Sequence, residues 1–231
     1  MKTLVVIPTY NERENISEIV PAILEQAPQV DVLVVDDNSP DGTQEVVRQL
    51  QSKSSRVHLL GRRGKEGLGK AYLAGFRWAL DNGYEGIVQM DADFSHRPQD
   101  LVALLQALPS ADFVMGSRWV PGGQTVNWGA GRKIISRGGS FYARQILGFP
   151  VRDWTGGFNA WKSSTLQKIG LDSVRSEGYS FQIELKYKAL KLGFHGVEVP
   201  IVFEDRRVGQ SKMSSRIVFE ALGRVWSLRG L

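Results

Sequence analysis

Not one of the 231 residues is cysteine. That excludes a disulfide framework, a thiolate zinc site and a cysteine nucleophile. Histidine is nearly as scarce: His58, His96 and His195 are the only three, and no two stand at metal-ligand spacing, so a zinc site is not expected. No apolar run approaches the length that crosses a bilayer. Met1-Lys2-Thr3 leads straight into a short apolar segment ending at Pro8, without the length or cleavage site of a secretory leader. The chain therefore reads as soluble or peripheral, and cytoplasmic.

What is present suits one domain with a single good core. Composition is ordinary, at 42% hydrophobic and 23% charged residues, but the charge is divided unevenly. Residues 1–110 hold 11 Lys/Arg against 15 Asp/Glu, and residues 111–231 hold 18 against 9. A basic second half suits phosphorylated substrates, an anionic membrane surface or nucleic acid, or is a solvated face. Nucleic acid fits poorly, because the cations cluster by glycine-containing motifs and no recognised module is present.

Over the first hundred residues strand and helix signals alternate. Leu4–Ile7, Val32–Val35, Val57–Leu60 and Gly86–Met90 read as strands; Asn15–Gln26, Thr43–Gln51 and Gly67–Leu80 read as helices. Near-continuous apolar strands separated by amphipathic helices predict an α/β fold with a Rossmann-like, mostly parallel sheet flanked by helices. A fifth strand is expected at Phe113–Met115, helices over Lys133–Leu147 and residues 178–192, and a strand over Val197–Phe203. Residues 213–231 read as an amphipathic C-terminal helix, with Ile217, Phe219, Leu222, Val225, Trp226 and Leu228 among arginines. Such a helix lies on a membrane interface or covers its own domain.

In parallel sheets ligands bind beyond the carboxyl ends of the strands. Asp91-Ala92-Asp93 follows the fourth strand there. Two neighbouring carboxylates repel unless a cation lies between them, and Mg²⁺ or Mn²⁺ takes oxygen ligands that it shares with a diphosphate. The alternative is an acidic helix start ahead of Pro98. Asp36-Asp37 ends the second strand, where a carboxylate can hold ribose hydroxyls or a base N–H; Ser39-Pro40-Asp41-Gly42 beside it is a turn. Arg62 to Lys70 is basic, glycine-punctuated and opens a helix, which suits an anion or an ordinary loop. Arg118 after the fifth strand, the Arg132, Lys133, Ser136 and Arg137 group, and Arg206, Arg207 and Lys212 supply cations that suit two phosphorylated molecules or are surface charge.

Taken in order, these segments resemble a family-2 glycosyltransferase, and more narrowly the polyprenol (dolichol) monophosphate mannose synthases. The matching text is Val6-Ile7-Pro8-Thr9-Tyr10-Asn11-Glu12, Val34 to Thr43, Gly67-Leu68-Gly69, Met90 to His96 and Gly116-Ser117-Arg118. It continues with Arg132 to Gly138, Gly178 to Gln182 and Asp205 to Lys212. The resemblance implies a GT-A fold, GDP-mannose as donor, polyprenyl (dolichyl) phosphate as acceptor and Mg²⁺ or Mn²⁺ as cofactor. Residues 1–115 would form the nucleotide-sugar half and residues 116–212 the acceptor-side half. Pro8, Tyr10, Glu12, Val35 and Asp37 would hold the guanosine part, and Asp91, Ala92 and Asp93 the diphosphate–metal end. Some relatives carry Gln where Ser95 stands, making Ser95 a weaker third metal candidate. Arg118, Arg206 and Lys212 would contact donor or acceptor phosphates, with Arg132 and Ser136 on the acceptor side.

The implied reaction agrees with what the residues can do. A phosphomonoester acceptor is already anionic, so no strong general base is required. The demanding task is stabilising charge on the departing GDP, and a single displacement would invert the anomeric centre. A polyprenyl-phosphate glucose synthase using UDP-glucose is the nearest rival. Many relatives carry C-terminal transmembrane helices where this sequence stops at Leu231. The expectation is therefore a peripheral protein on the cytoplasmic face of a membrane, reaching its lipid through its own surface or through a membrane-anchoring partner; truncation of a longer protein is the alternative.

Overall fold

A computed structural model of the chain describes residues 1–176, 178–205 and 223–230. Seven strands form the main sheet: β1 (Thr3–Thr9), β2 (Val30–Asp36), β3 (Val57–Gly61), β4 (Gly86–Gln89), β5 (Phe113–Ser117), β7 (Asn159–Lys162) and β8 (Gly196–Pro200). Their spatial order is β3-β2-β1-β4-β7-β5-β8. Every pairing is parallel except those of β7, which runs antiparallel between β4 and β5. The sheet is thus mostly parallel, as the apolar runs predict, and its antiparallel member is the short Asn159-Ala160-Trp161-Lys162 segment, which carries no alternating or continuous apolar signal.

Helices α1 (Arg13–Gln26), α2 (Thr43–Lys53) and α4 (Pro98–Ala107) accompany one face; α3 (Leu68–Asp81) and α7 (Gly178–Lys191) accompany the other. Alternate strand residues divide accordingly. Val5, Ile7, Val32 and Val34 join the α1 side, whereas Leu4, Val6, Leu33 and Val35 join the α3 side. The segments α5 (Ala130–Leu147) and α6 (Ser163–Ile169) complete the helices named here. The run expected as one strand at Val197–Phe203 is broken at Ile201, directly after β8 ends at Pro200. Its second part, β9 (Val202–Glu204), leaves the main sheet and pairs in parallel with β6 (Gln124–Val126).

Close approach of α3 to β1 depends on Gly75. A Cβ there would overlap Val6 Cγ1 and stand 3.1 Å from Val35 Cγ2. Gly75→Ala is therefore expected to lower stability by about 1–3 kcal/mol, the usual cost of overfilling a packed core. The urea unfolding midpoint checks this; a midpoint equal to wild type would show that the interface yields without cost.

Of the C-terminal helix, residues 223–229 are helical. Val225 and Leu228 are buried in the α3/α7 core while Trp226 is exposed. Arg224 donates to Ser176 Oγ and lies 3.6 Å from the Glu184 carboxylate. This part covers its own domain; residues 206–222 lie outside the described residues.

Candidate active site

The loops after β1 and β2 brace each other. Asn11 N–H donates to Ser39 Oγ, Glu12 N–H to Thr43 Oγ1 and Arg13 N–H to Asp41 Oδ2. The turn-forming residues after Asp37 thus satisfy the free N–H groups at the start of α1. Asn11 and Asn38 have φ near +60°, a conformation that asparagine tolerates better than most residues.

Within this frame the two neighbouring aspartates have different work. Asp36 is fully buried and accepts from Thr9 Oγ1, Ser39 N and Oγ, and Gln44 Nε2. It builds the turn. Asp37 instead meets Arg62 across the loop, at 2.5 Å. Burial pushes its carboxyl up, against the opposing pull of Arg62. Tyr10 stands exposed, with Lys65 Nζ 4.1 Å from its ring centre. Pro8 is half-buried at the end of β1, and Glu12 accepts from Asn15 Nδ2. Val35 points into the core under α3, so only its main chain remains for a ligand.

Asp91 and Asp93 leave β4 at its carboxyl end. The helix-start alternative does not hold: α4 begins at Pro98, and the acid in its first turn is Asp100, paired with Arg97. Phe94 has φ +61°, a strained conformation for a bulky residue and one that collects at functional loops. It turns the chain back so that Ser95 N–H donates to Asp93 Oδ1 at 3.1 Å and His96 Nδ1 accepts from Asp91 N–H at 3.0 Å. Tyr72, buried on α3 and stacked on Phe181, donates its hydroxyl to Asp91 Oδ1 at 2.9 Å. Burial, followed by the Asp91 charge, raises the Tyr72 phenol, so it stays a donor. His96 is buried against Phe158 and Phe203; burial pulls its imidazole below the ordinary value, against Asp91 and Asp93. With Nδ1 engaged by a main-chain N–H, this neutral ring shapes the loop. Ala92 and Ser95 are also buried.

Phe203 links this loop to the second half, lying 5.3 Å from the Arg118 guanidinium carbon. Arg118 is itself buried. Its Nε and Nη2 grip the two carboxylate oxygens of Asp153 at 2.7 and 2.6 Å, and Nη2 also donates to Thr155 Oγ1. Asp153 further accepts from Arg118 N–H and Gly156 N–H. Burial acts to raise the Asp153 carboxyl, but Arg118, its hydrogen bonds and Lys186 together hold it below the ordinary value. Lys186, fully buried on α7, donates to the carbonyls of Asp153, Trp154 and Gly156. Burial lowers its ammonium to about 8, against the opposing charges of Asp153 and Glu198.

Arg132 pairs with Asp205 at 2.6 Å and stacks over Trp128, which also lies within cation–π reach of Arg118. Ser136 is buried on the inner side of α5. Arg206 and Lys212 lie outside the described residues. The structure thus brings Asp91, Asp93, Arg118 and Arg132 into one chain of contacts running through His96, Phe203 and Trp128, while Asp37 and Tyr10 sit on the neighbouring loops. Sequence reasoning missed Tyr72, His96, Asp153 and Lys186. A signal existed for Asp153: residues 113–152 contain six Lys/Arg and no acid, so a buried Arg118 must find its counter-charge beyond that stretch.

Residues 4–170 match the family described as Glycosyl transferase family 2. The chain is 48% identical over 230 residues to an undecaprenyl-phosphate mannosyltransferase of Micrococcus luteus, spanning 99% of this chain and 95% of that one. It is 48% identical over 233 residues to a polyprenol monophosphomannose synthase of Mycolicibacterium smegmatis, spanning 99% and 88%. Among solved structures, glucosyl-3-phosphoglycerate synthase from Mycobacterium tuberculosis, in complex with Mn²⁺, UDP and phosphoglyceric acid, superposes with a TM-score of 0.75 at 18% identity, over 100% of this chain and 79% of that one. That likeness shows the GT-A fold. The resemblance read from the motifs is borne out, and the chain belongs to glycosyl transferase family 2 as a glycosyltransferase.

Proposed function

We propose that the protein transfers mannose from GDP-mannose to a polyprenyl phosphate with inversion, giving polyprenyl phosphate β-mannose and GDP. The observation that carries this reading is the pair Asp91 and Asp93 leaving β4 together, in a chain 48% identical over nearly its whole length to proteins named undecaprenyl-phosphate mannosyltransferase and polyprenol monophosphomannose synthase.

The donor set fits a divalent cation. Two carboxylates are hard oxygen ligands, and among the described residues no group of three or more His, Cys, Asp or Glu gathers to enclose an ion. The protein would then supply part of a shell, as suits Mg²⁺ or Mn²⁺ shared with a diphosphate. Asp93 would be the more direct ligand, Asp91 its neighbour, and Ser95 a weak third. Such an ion, when bound, would stabilise charge on the departing diphosphate. Asp37, Tyr10, Pro8, Glu12 and the Val35 main chain would hold the nucleoside. Arg118, Arg206 and Lys212 would offset the repulsion between donor and acceptor phosphates, with Arg132 and Ser136 on the acceptor side. A phosphate nucleophile needs no proton removed, which agrees with His96 being occupied by a main-chain donor.

No helix among the described residues is long and apolar enough to cross a membrane. A lipid-borne acceptor is met at a membrane surface, and the proposed reaction therefore places the protein on the cytoplasmic face of a membrane, as a peripheral enzyme or with a membrane-anchoring partner.

The test is transfer of radiolabelled sugar to a short polyprenyl phosphate, with Mg²⁺ or Mn²⁺ and with EDTA, GDP-mannose and UDP-glucose run in parallel. Mannolipid from GDP-mannose alone, lost in EDTA, is expected. Transfer only from UDP-glucose would replace the donor; equal transfer in EDTA would remove the metal.

A further inference from the structure

Two cavities adjoin beside α5, sharing Trp119 and Arg137 as walls. The first, of about 420 Å³, contains Arg118, Lys133 and Arg137 with the polar residues Gln124 and Thr125. The second, of about 280 Å³, is walled by Trp119, Phe141 and Val151, with Arg137, Arg144 and Arg152 around it. Among the described residues none of Lys133, Arg137, Arg144 or Arg152 is in an ion pair through its side chain, whereas Arg62, Arg97, Arg118 and Arg132 all are. No acidic residue occurs anywhere between Asp112 and Asp153. Phe141 lines this second cavity and is 63% exposed among the described residues. A cation-lined chamber opening into an aromatic and aliphatic one matches a ligand with one phosphate and an apolar tail.

We propose that the cavity walled by Trp119, Phe141 and Val151 takes the first isoprenyl carbons of the lipid acceptor, whose phosphate lies in the adjoining chamber at Arg118, Lys133 and Arg137. This rests on the transfer reaction proposed above and adds where the tail goes. Long arginine side chains can cover apolar surface with their stems while the charged heads stay in water. A free sugar phosphate or inorganic phosphate gains nothing from Phe141; a prenyl chain removes that exposed ring from water, against the already buried Val151. Phosphate contacts set the position of the head, and the apolar cavity distinguishes a lipid from a soluble phosphate.

Because the chain lacks cysteine, Phe141→Cys provides a single thiol at an exposed helical position where folding is not at stake. The experiment measures the rate of maleimide alkylation of this variant alone and with farnesyl phosphate, inorganic phosphate or phosphatidylglycerol vesicles. Calorimetric titration of the same variant gives the affinity for farnesyl phosphate. At ten times the dissociation constant, farnesyl phosphate is expected to slow alkylation about tenfold, and the other additions much less. Farnesyl phosphate that binds without protecting the thiol overturns the proposal, as does equal protection by inorganic phosphate or by vesicles alone. Mannose transfer from GDP-mannose to farnesyl phosphate by the wild-type protein is assayed alongside. Protection without transfer supports the cavity assignment and sinks the reaction; transfer without protection does the reverse.

Discussion

Asp93→Ala is expected to lower mannose transfer by about a hundredfold or more, with the fold intact. The estimate follows from the loss found when a preorganised group stabilising a developing charge is removed. Asp93 ends the loop that Phe94 reverses, and Ser95 N–H fixes one of its oxygens. The substitution therefore removes an oriented charge while leaving β4 paired on both edges. Mn²⁺ binding in the presence of GDP, followed by electron paramagnetic resonance, should fail in the same variant. Tyr72→Phe should do less, since it releases only one oxygen of Asp91 from its hydrogen bond. Full metal-dependent activity in Asp93→Ala would remove this residue from the metal site.

Asp153→Ala is expected to cost about 3–5 kcal/mol of stability, because it leaves the buried Arg118 guanidinium without its counter-charge. Four hydrogen bonds to the Asp153 carboxylate are lost together, from Arg118 N, Nε and Nη2 and from Gly156 N. Against a typical total of about 5–15 kcal/mol, that is severe. Two further variants keep the idea testable if this one does not accumulate. Asp153→Asn preserves the shape and loses the charge. Asp153→Ala combined with Arg118→Met removes both charges and should be less damaged than Asp153→Ala alone. The pH dependence has a definite sign. Because the folded carboxyl is held below its ordinary value, its contribution is present above about pH 4, the unfolded value, and is lost as pH falls through the folded one. The stability gap between wild type and Asp153→Asn should therefore narrow in acid. A gap that is small at pH 7, or unchanged in acid, would show that the pair does not hold this region.

The main sheet was legible because its parallel strands are buried on both faces, and burial writes long apolar runs. Leu4–Ile7, Val32–Val35 and Gly86–Met90 each report a central strand in this way. The antiparallel β7 escaped notice: Asn159 serves Gln89 and Gln182 in a buried polar cluster, and the indole of Trp161 donates to Gln89. Its pattern reflects that network instead of a strand period. The loops were legible for a different reason, since turn formers and paired acids mark strand ends directly. What could not be read were the supports. Tyr72 stands on an apolar helical stripe like any core residue, and Lys186 stands among other lysines of α7. Their roles depend on partners 19 and about 30 residues away.

The position of β7 also bears on the order in which the chain can acquire its shape during synthesis. Strands β1 to β4 pair with one another as they emerge, but β5 has no neighbour until Asn159–Lys162 inserts beside it and Gly196–Pro200 closes its far side. Until then the outer edge of β4, the strand that carries Asp91 and Asp93, is open and adhesive. A ribosome must deliver more than forty residues beyond β5 before that edge is sealed, and pairings of such long sequence separation form slowly. The loop bearing Asp91 and Asp93 is therefore built on a strand finished late, and a nascent chain stalled within α5 would present a half-zipped sheet that is prone to aggregation.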